Sequence, residues 1–245
     1  FGRLDKIPHI QVEWYHALAP AVLLMLTRFG IPVSTTFLVL SVFASTVVFE
    51  KMMVKSMLGY AIASVVAYGF WMILSKFLDE KKKVDNNHEK YWRVAQWCTT
   101  GFLWFTWLSH DLANIAVFAP RQMSPEFLTG ITVMLVGMLG FIFYEQGGKI
   151  QQIVIEKSTT SYVRSATIID GVYAFILLYL KQMNNIPMST TWVFVGLLCG
   201  RELAIATRAD KKIKKIFPVV LKDFMKIMMG LCVSVVLVLL VQAMS

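Results

Sequence analysis

Ile186-Pro187-Met188-Ser189-Thr190-Thr191 is the stretch that decides the fold of this chain, because it occurs twice. The earlier copy, Ile31-Pro32-Val33-Ser34-Thr35-Thr36, lies 155 positions upstream. Each copy interrupts a long apolar region with a proline and hydroxyl side chains. Paired interruptions of the hydrophobic segments in two halves of a chain are typical of membrane transporters that are built from repeats. The stretch therefore predicts a duplicated membrane protein.

The composition indicates an integral membrane protein. Of the 245 residues, 57% are hydrophobic and 16% are charged, whereas soluble domains carry about 25% charged residues. The apolar blocks are roughly 17–28 residues long, enough to cross a hydrocarbon core of about 30 Å, and they lack the alternation of β-barrel strands. The net charge of +9 lies mainly in short loops, which fits cytoplasmic loops of a membrane protein and not nucleic-acid binding.

Residues 79–93, DEKKKVDNNHEKYWR, form the longest polar stretch and divide the chain. They separate a first, partial repeat half (1–78) from a second repeat half (94–245). We predict an all-α, polytopic helical membrane protein with inverted repeats and two broken or re-entrant helical hairpins.

The orientation follows from the basic loops. The loop at 79–93, the segment 145–164 and the run 207–216 fall on one side when the crossings are counted, and the positive-inside rule makes that side cytoplasmic. The same count places the Pro32 break toward the cytoplasm and the Pro187 break toward the outside. The predicted location is the plasma (inner) membrane, within the lipid bilayer.

Each Pro-x-Ser-Thr-Thr turn predicts a helix start, because proline is favoured at the first helical position and Ser or Thr caps unpaired amides. Such a start presents free N–H groups and the positive end of the helix dipole, which suit an anion. The alternative is that the hydroxyls bond to carbonyls four residues earlier and only bend a helix. Small residues follow at matching positions, Ser41-x-x-x-Ser45 and Gly196-x-x-x-Gly200, and predict close helix packing.

Asp111 is the candidate ion ligand, because a carboxylate inside a membrane span costs about 3 kcal/mol by insertion scales and is a functional candidate by default. Asn114 lies on the same helical face, three residues on. Carboxylate, amide and hydroxyl oxygens suit Na⁺ better than a soft metal. Two alternatives pair Asp111 with His110 as a zinc or proton-relay site, or with Asp170 as an intramembrane aspartyl dyad.

These motifs resemble the inorganic phosphate transporters of the PiT (Pho-4) type. That family carries a Gly-Ala-Asn-Asp-Val-Ala-Asn and a Pro-Val-Ser-Thr-Thr-His signature in each of two inverted halves. Ser109-His110-Asp111-Leu112-Ala113-Asn114 resembles the first signature, and residues 186–192 with Val195-Gly196 resemble the second. Residues 30–37 are similar to the other copy of the second signature, and residues 144–150 to the segment between the signatures.

The resemblance implies a secondary active transporter that moves inorganic phosphate by symport with Na⁺, with H⁺ as the other candidate ion. It implies no catalytic residue and no cofactor, and it leaves a homodimer open. The implied phosphate ligands are Ser34, Thr35, Thr36, Asn114, Ser189, Thr190 and Thr191. The implied Na⁺ ligands are Asp111, Asn114, Thr36 and Thr191.

Three departures from the family pattern define the alternatives. Phe37 and Trp192 stand where the family has histidine, His110 stands where it has the first asparagine, and Leu108 stands where it has the small glycine. By the spacing of the second half, where Asp111 precedes Pro187 by 76 residues, the first-half Asp/Asn motif should lie 76 residues before Pro32 and thus ahead of Phe1. We expect an absent N-terminal segment or a diverged form without that motif. The alternative functions are a non-transporting membrane scaffold or receptor and, less favoured, the aspartyl enzyme.

Overall fold

The computed structural model describes residues 4–29, 31, 33–74, 86–145, 163–183, 187–208 and 217–244. All regular secondary structure in these ranges is helical, which confirms the all-α prediction. Residues 79–85 of the predicted loop at 79–93, and most of the predicted segments 145–164 and 207–216, lie outside the described residues.

Along the chain, two of the α-helices are directly preceded by a short helix of another type. A 3₁₀ helix, Trp14–Ala17, leads into α1, Leu18–Arg28, and a π-helix, Thr36–Leu40, leads into α2, Ser41–Phe43. The other helices are α3 (Thr46–Leu74), α4 (Asn86–Asp111), α5 (Ala113–Ala116), α6 (Pro125–Tyr144), α7 (Val163–Met183), α8 (Thr190–Arg208) and α9 (Phe217–Met244).

Four of the described helical segments are long and apolar enough to cross a membrane: Thr46–Leu74, Pro125–Tyr144, Val163–Leu180 and Val220–Met244. They contain 18 to 29 residues, and a rise of about 1.5 Å per residue makes them roughly 27–44 Å long, about the thickness of a hydrocarbon core. The structure describes every residue of α6, and none of them is buried. The chain is therefore a helical membrane protein.

Among the described helices, α3 and α8 pack against each other most extensively, and α4 and α7 form the next most extensive contact. A Cβ atom added at Gly196 would lie 2.4 Å from the Tyr60 carbonyl oxygen, and one added at Gly200 would lie 2.1 Å from the Ser64 carbonyl oxygen. Ser64 Oγ donates a hydrogen bond across this contact to the Gly196 carbonyl oxygen at 3.0 Å. The predicted close packing at Gly196-x-x-x-Gly200 is confirmed.

The corresponding serines of the first copy behave differently. Ala44 is extended, with φ −90° and ψ 144°, and Ser45 is exposed. Ser41 Oγ donates to the Phe37 carbonyl oxygen, a back-bond that bends helices. Ser41 is fully buried, but the chain leaves the helix before Ser45, so the predicted four-residue packing motif does not form in the first copy.

The structure also places two helix starts. α3 begins at Thr46 and runs without a break through Glu50 and Lys51, which are exposed on its surface. Residues 86–93 of the predicted loop form the first turns of α4.

The main buried cluster joins the two predicted halves. It contains the buried hydrophobic residues of the π-helix and α2, and it includes Trp192 from α8 and Ile227 from α9. Phe37 and Trp192 are only 1% and 2% exposed, and their ring centroids are 5.5 Å apart. The two aromatic residues at the family's histidine positions thus pack against each other in the core.

Candidate functional site

The two Pro-x-Ser-Thr-Thr turns start helices in the same way. Ser34 Oγ accepts a hydrogen bond from the Phe37 amide at 3.2 Å, and Ser189 Oγ accepts one from the Trp192 amide at 3.1 Å. Both serines are buried. The predicted capping role of the turns is confirmed at these serines, whose hydroxyls satisfy helix amides.

A pocket of about 700 Å³ lies where the two turns meet the end of α4. Thr35 reaches it from the first turn and Thr190 and Thr191 from the second, while Asp111 and Asn114 reach it from α4 and α5. The structure therefore brings five of the eight predicted site residues to one pocket.

Asp111 lies at the centre of a hydrogen-bonded cluster in this pocket. Thr190 Oγ1 donates to Asp111 Oδ2 at 3.0 Å. Asn114 Nδ2 donates to Thr35 Oγ1 at 3.1 Å and lies 3.4 Å from Asp111 Oδ1. Asn114 thus shares a face with Asp111, as predicted. Because Thr35 and Thr190 are equivalent positions of the repeat, each copy contributes one hydroxyl to the cluster.

The other three predicted ligands do not line the pocket. Ser34 and Ser189 are used as caps. Thr36 is buried, and its Oγ1 has no hydrogen-bond partner among the described residues, but it is absent from the described lining of the pocket. The predicted pairing of Thr36 with Na⁺ is therefore not supported by the geometry, because Thr35 is the hydroxyl of that turn that lines the pocket.

The charged side chains of the pocket are negative. Asp111 and Glu13 line it, and no Lys, Arg or His from the described part of the chain does so. Asn114 is 9% exposed, and its Oδ1 has no hydrogen-bond partner among the described residues. Carboxylate, amide and hydroxyl oxygens are ligands that hard cations prefer. The pocket is therefore chemically suited to a cation.

His110 is directed away from this cluster. Its ring is buried, and its Nε2 lies 3.0 Å from the Leu177 carbonyl oxygen on α7. The described residues contain no group of three or more His, Cys, Asp or Glu side chains that could hold a metal ion. The geometry gives no support to a zinc site at His110 and Asp111.

Asp170 and Asp111 do not form a dyad. Asp170 Oδ2 accepts a hydrogen bond of 2.5 Å from Thr100 Oγ1 on α4. Thr100 and Asp111 are eleven residues apart on that helix, which corresponds to about 16 Å at 1.5 Å per residue. Two carboxylates that share a proton must lie about 3 Å apart, so these two act separately.

Sequence reasoning missed the aromatic side of the pocket. Trp104 and Trp107 line it, and Trp107 Nε1 donates to Thr190 Oγ1 at 3.3 Å. The hydroxyl of Tyr173, on α7, donates to the Thr190 carbonyl oxygen at 2.9 Å. The available signal was the spacing: Trp104 and Trp107 precede Asp111 by seven and four residues and share its helical face.

Comparison with known proteins adds no identification. No family model, no curated protein and no solved structure matches the chain. The function is therefore inferred from the geometry of the pocket and from the sequence motifs.

Proposed function

We propose that this protein is a secondary active transporter that moves inorganic phosphate across a membrane by symport with Na⁺, as the PiT-type proteins that its motifs resemble do. The main support is the cluster at Asp111, to which each copy of the repeated turn contributes a threonine, Thr35 or Thr190. Repeat-built transporters bind substrate and ions where their broken helices meet.

The charge of the pocket gives a reason for coupling. Na⁺ binds first, to Asp111, the Asn114 side-chain carbonyl oxygen and the threonine hydroxyls. Phosphate then binds beside the ion at the start of α8, where Thr190, Thr191 and the helix dipole favour an anion. Since the described lining contains no Lys or Arg, the bound Na⁺ supplies the positive charge that phosphate needs.

We also propose that the two copies belong to inverted repeats, with the basic loops on the cytoplasmic side of the plasma membrane. The distribution of Lys and Arg in the sequence supports this orientation. In such a protein the repeats move against each other around a fixed central site. Thr35 and Thr190 would then hold the cluster from the two moving parts.

Uptake of radiolabelled phosphate into proteoliposomes tests the proposal. Uptake should depend on an inward Na⁺ gradient and should fall to background when KCl replaces NaCl. Asp111→Asn should abolish uptake, whereas Asp170→Asn, the same substitution at the carboxylate hydrogen-bonded to Thr100, should retain it. Na⁺ coupling is wrong if uptake is equal in NaCl and KCl, and uptake that instead follows a pH gradient would identify H⁺ as the coupling ion.

The scaffold or receptor alternative gives a different result in the same assay. Wild-type protein that reconstitutes as a folded, monodisperse species and shows no phosphate uptake under either gradient would replace the transport proposal with that alternative. Normal uptake by Asp111→Asn would remove Asp111 from the site.

A further inference from the structure

The pocket is larger than Na⁺ and phosphate require. Its volume of about 700 Å³ falls within the range of about 300–1,000 Å³ that is usual for sites of drug-sized molecules. Beyond the polar cluster, its wall is apolar and includes Leu23, Val39, Trp104, Trp107 and Phe118. The space beside Asp111 therefore fits a ligand with an apolar body.

The aromatic wall and the charged side chains of the pocket favour a ligand with a positive charge. The rings of Trp104 and Trp107 lie 5.8 Å apart between centroids and are inclined by 49°, and both residues line the pocket. Indole faces attract cations through the ring quadrupole. Asp111 and Glu13 add negative charge, and none of the described lining residues is Lys, Arg or His.

Asn114 provides an independent sign of a missing partner. Its side chain is 9% exposed and lines the pocket, and its Nδ2 donates a hydrogen bond to Thr35 Oγ1. Its Oδ1 is buried without a hydrogen-bond partner in the described part of the chain. A buried acceptor is normally hydrogen-bonded, and a ligand N–H group beside Asp111 would satisfy it.

We infer that this pocket binds an organic ammonium ion with an apolar body, the ammonium group on Asp111 and Asn114 and the apolar part on the Trp104–Trp107 wall. The assignment rests on the proposed cation site at Asp111 and is independent of phosphate transport. Na⁺ and the ammonium group compete for the same carboxylate. The organic cation therefore blocks Na⁺-driven phosphate uptake when it occupies the pocket.

The test uses 3-phenylpropylamine, which is protonated at neutral pH, and its uncharged isostere 3-phenylpropan-1-ol. Binding to the purified full chain in detergent is measured by titration calorimetry in KCl without Na⁺ and without phosphate. The amine should bind saturably and more weakly when NaCl replaces KCl, and the alcohol should not bind.

Variants locate the bound amine. Asp111→Asn should weaken its binding at least about tenfold, as expected for loss of a charged partner. Trp104→Leu should weaken it by about two- to tenfold, the range expected for loss of a contact between the phenyl ring and an aromatic side chain. The matched controls are Asp170→Asn and Trp97→Leu, since Asp170 is held by Thr100 and Trp97 is 72% exposed, and both should bind like the wild type. Circular dichroism and size-exclusion chromatography establish that each variant is folded.

The results separate this inference from the transport proposal. Equal binding of amine and alcohol, or binding that folded Asp111→Asn and Trp104→Leu leave unchanged, overturns the inference. Na⁺-driven phosphate uptake that persists at saturating 3-phenylpropylamine overturns it as well. Saturable, Asp111-dependent amine binding by a protein that takes up no phosphate supports the inference and refutes only the transport proposal.

Discussion

Gly200→Ala tests whether the close contact of α3 and α8 holds the candidate site in place. In an unhindered helix, alanine is better than glycine by about 1 kcal/mol. At Gly200 the new Cβ would lie 2.1 Å from the carbonyl oxygen and 2.8 Å from the carbonyl carbon of Ser64. These are backbone atoms, so no rotation of a side chain relieves the clash. The helices must separate by about 1.3 Å here before the oxygen contact reaches an ordinary 3.4 Å.

Overpacking of this kind costs about 1–3 kcal/mol. Since 1 kcal/mol shifts the melting temperature of a chain of this size by about 2–4 °C, Gly200→Ala should melt about 2–12 °C below the wild type. The melting temperature is measured in detergent by intrinsic tryptophan fluorescence. Gly137→Ala on α6 is the control, because outside its own stretch of helix no atom of the described residues lies within 4 Å of its added Cβ.

The displacement should also reach the pocket. Gly200 and Thr190 both lie on α8. The amide of Ser189, the residue before Thr190, donates a hydrogen bond to Ser56 Oγ of α3 at 2.8 Å. Separation of α3 and α8 should therefore raise the Na⁺ concentration that half-saturates uptake. Equal melting temperatures for Gly200→Ala and Gly137→Ala would refute the reasoning about the contact.

Two further substitutions test the cluster and the core. Thr190→Val removes the hydroxyl that donates to Asp111, and because hydrogen bonds to charged groups contribute about 1.5–3 kcal/mol, the half-saturating Na⁺ concentration should rise about ten- to hundredfold. Thr207→Val is its control, as that hydroxyl donates to the Leu203 carbonyl oxygen of its own helix, and equal values for the two variants would contradict the role of Thr190. Trp192→Ala should lower the stability by about 3–5 kcal/mol, whereas Trp97→Ala, at an exposed position, should leave the melting temperature nearly unchanged; similar melting curves would show that Trp192 is not core.

The sequence was sufficient for the helical class and for the two breaks, because both depend on local chemistry. Proline and serine act on their own turn, and Ser34 and Ser189 cap helices wherever the rest of the chain lies. The length of the helix after each turn depends instead on contacts with distant parts of the chain. α8 continues for 19 residues beside α3, whereas the helix after Ser34 ends at Phe43. The repeat gives no sign of that difference.

The candidate site was only partly predictable, because it also depends on contacts between distant parts of the chain. Asp111 and Asn114 are three residues apart on a helical stretch, so the sequence places them on one face. Which hydroxyl of each turn reaches them depends on how the helix starts are rotated toward α4, and here Thr35 lines the pocket while Thr36 does not. Trp107 was not predicted, because a tryptophan in an apolar span is common and only the structure shows that its Nε1 donates to Thr190 Oγ1.

The arrangement of charge links the two ligands proposed for this pocket. A phosphate charge placed 4 Å from the Asp111 carboxylate would be repelled by about 4 kcal/mol at an effective dielectric constant near 20, close to a thousandfold in binding. The described lining contains no Lys or Arg that would offset this repulsion, and in the proposed mechanism the bound Na⁺ offsets it. A resident lysine would admit phosphate without an ion and would uncouple the two. In this proposal the Asp111 carboxylate, held by Thr190 and Asn114, makes binding of the anion depend on the cation and makes an organic ammonium ion a competitor.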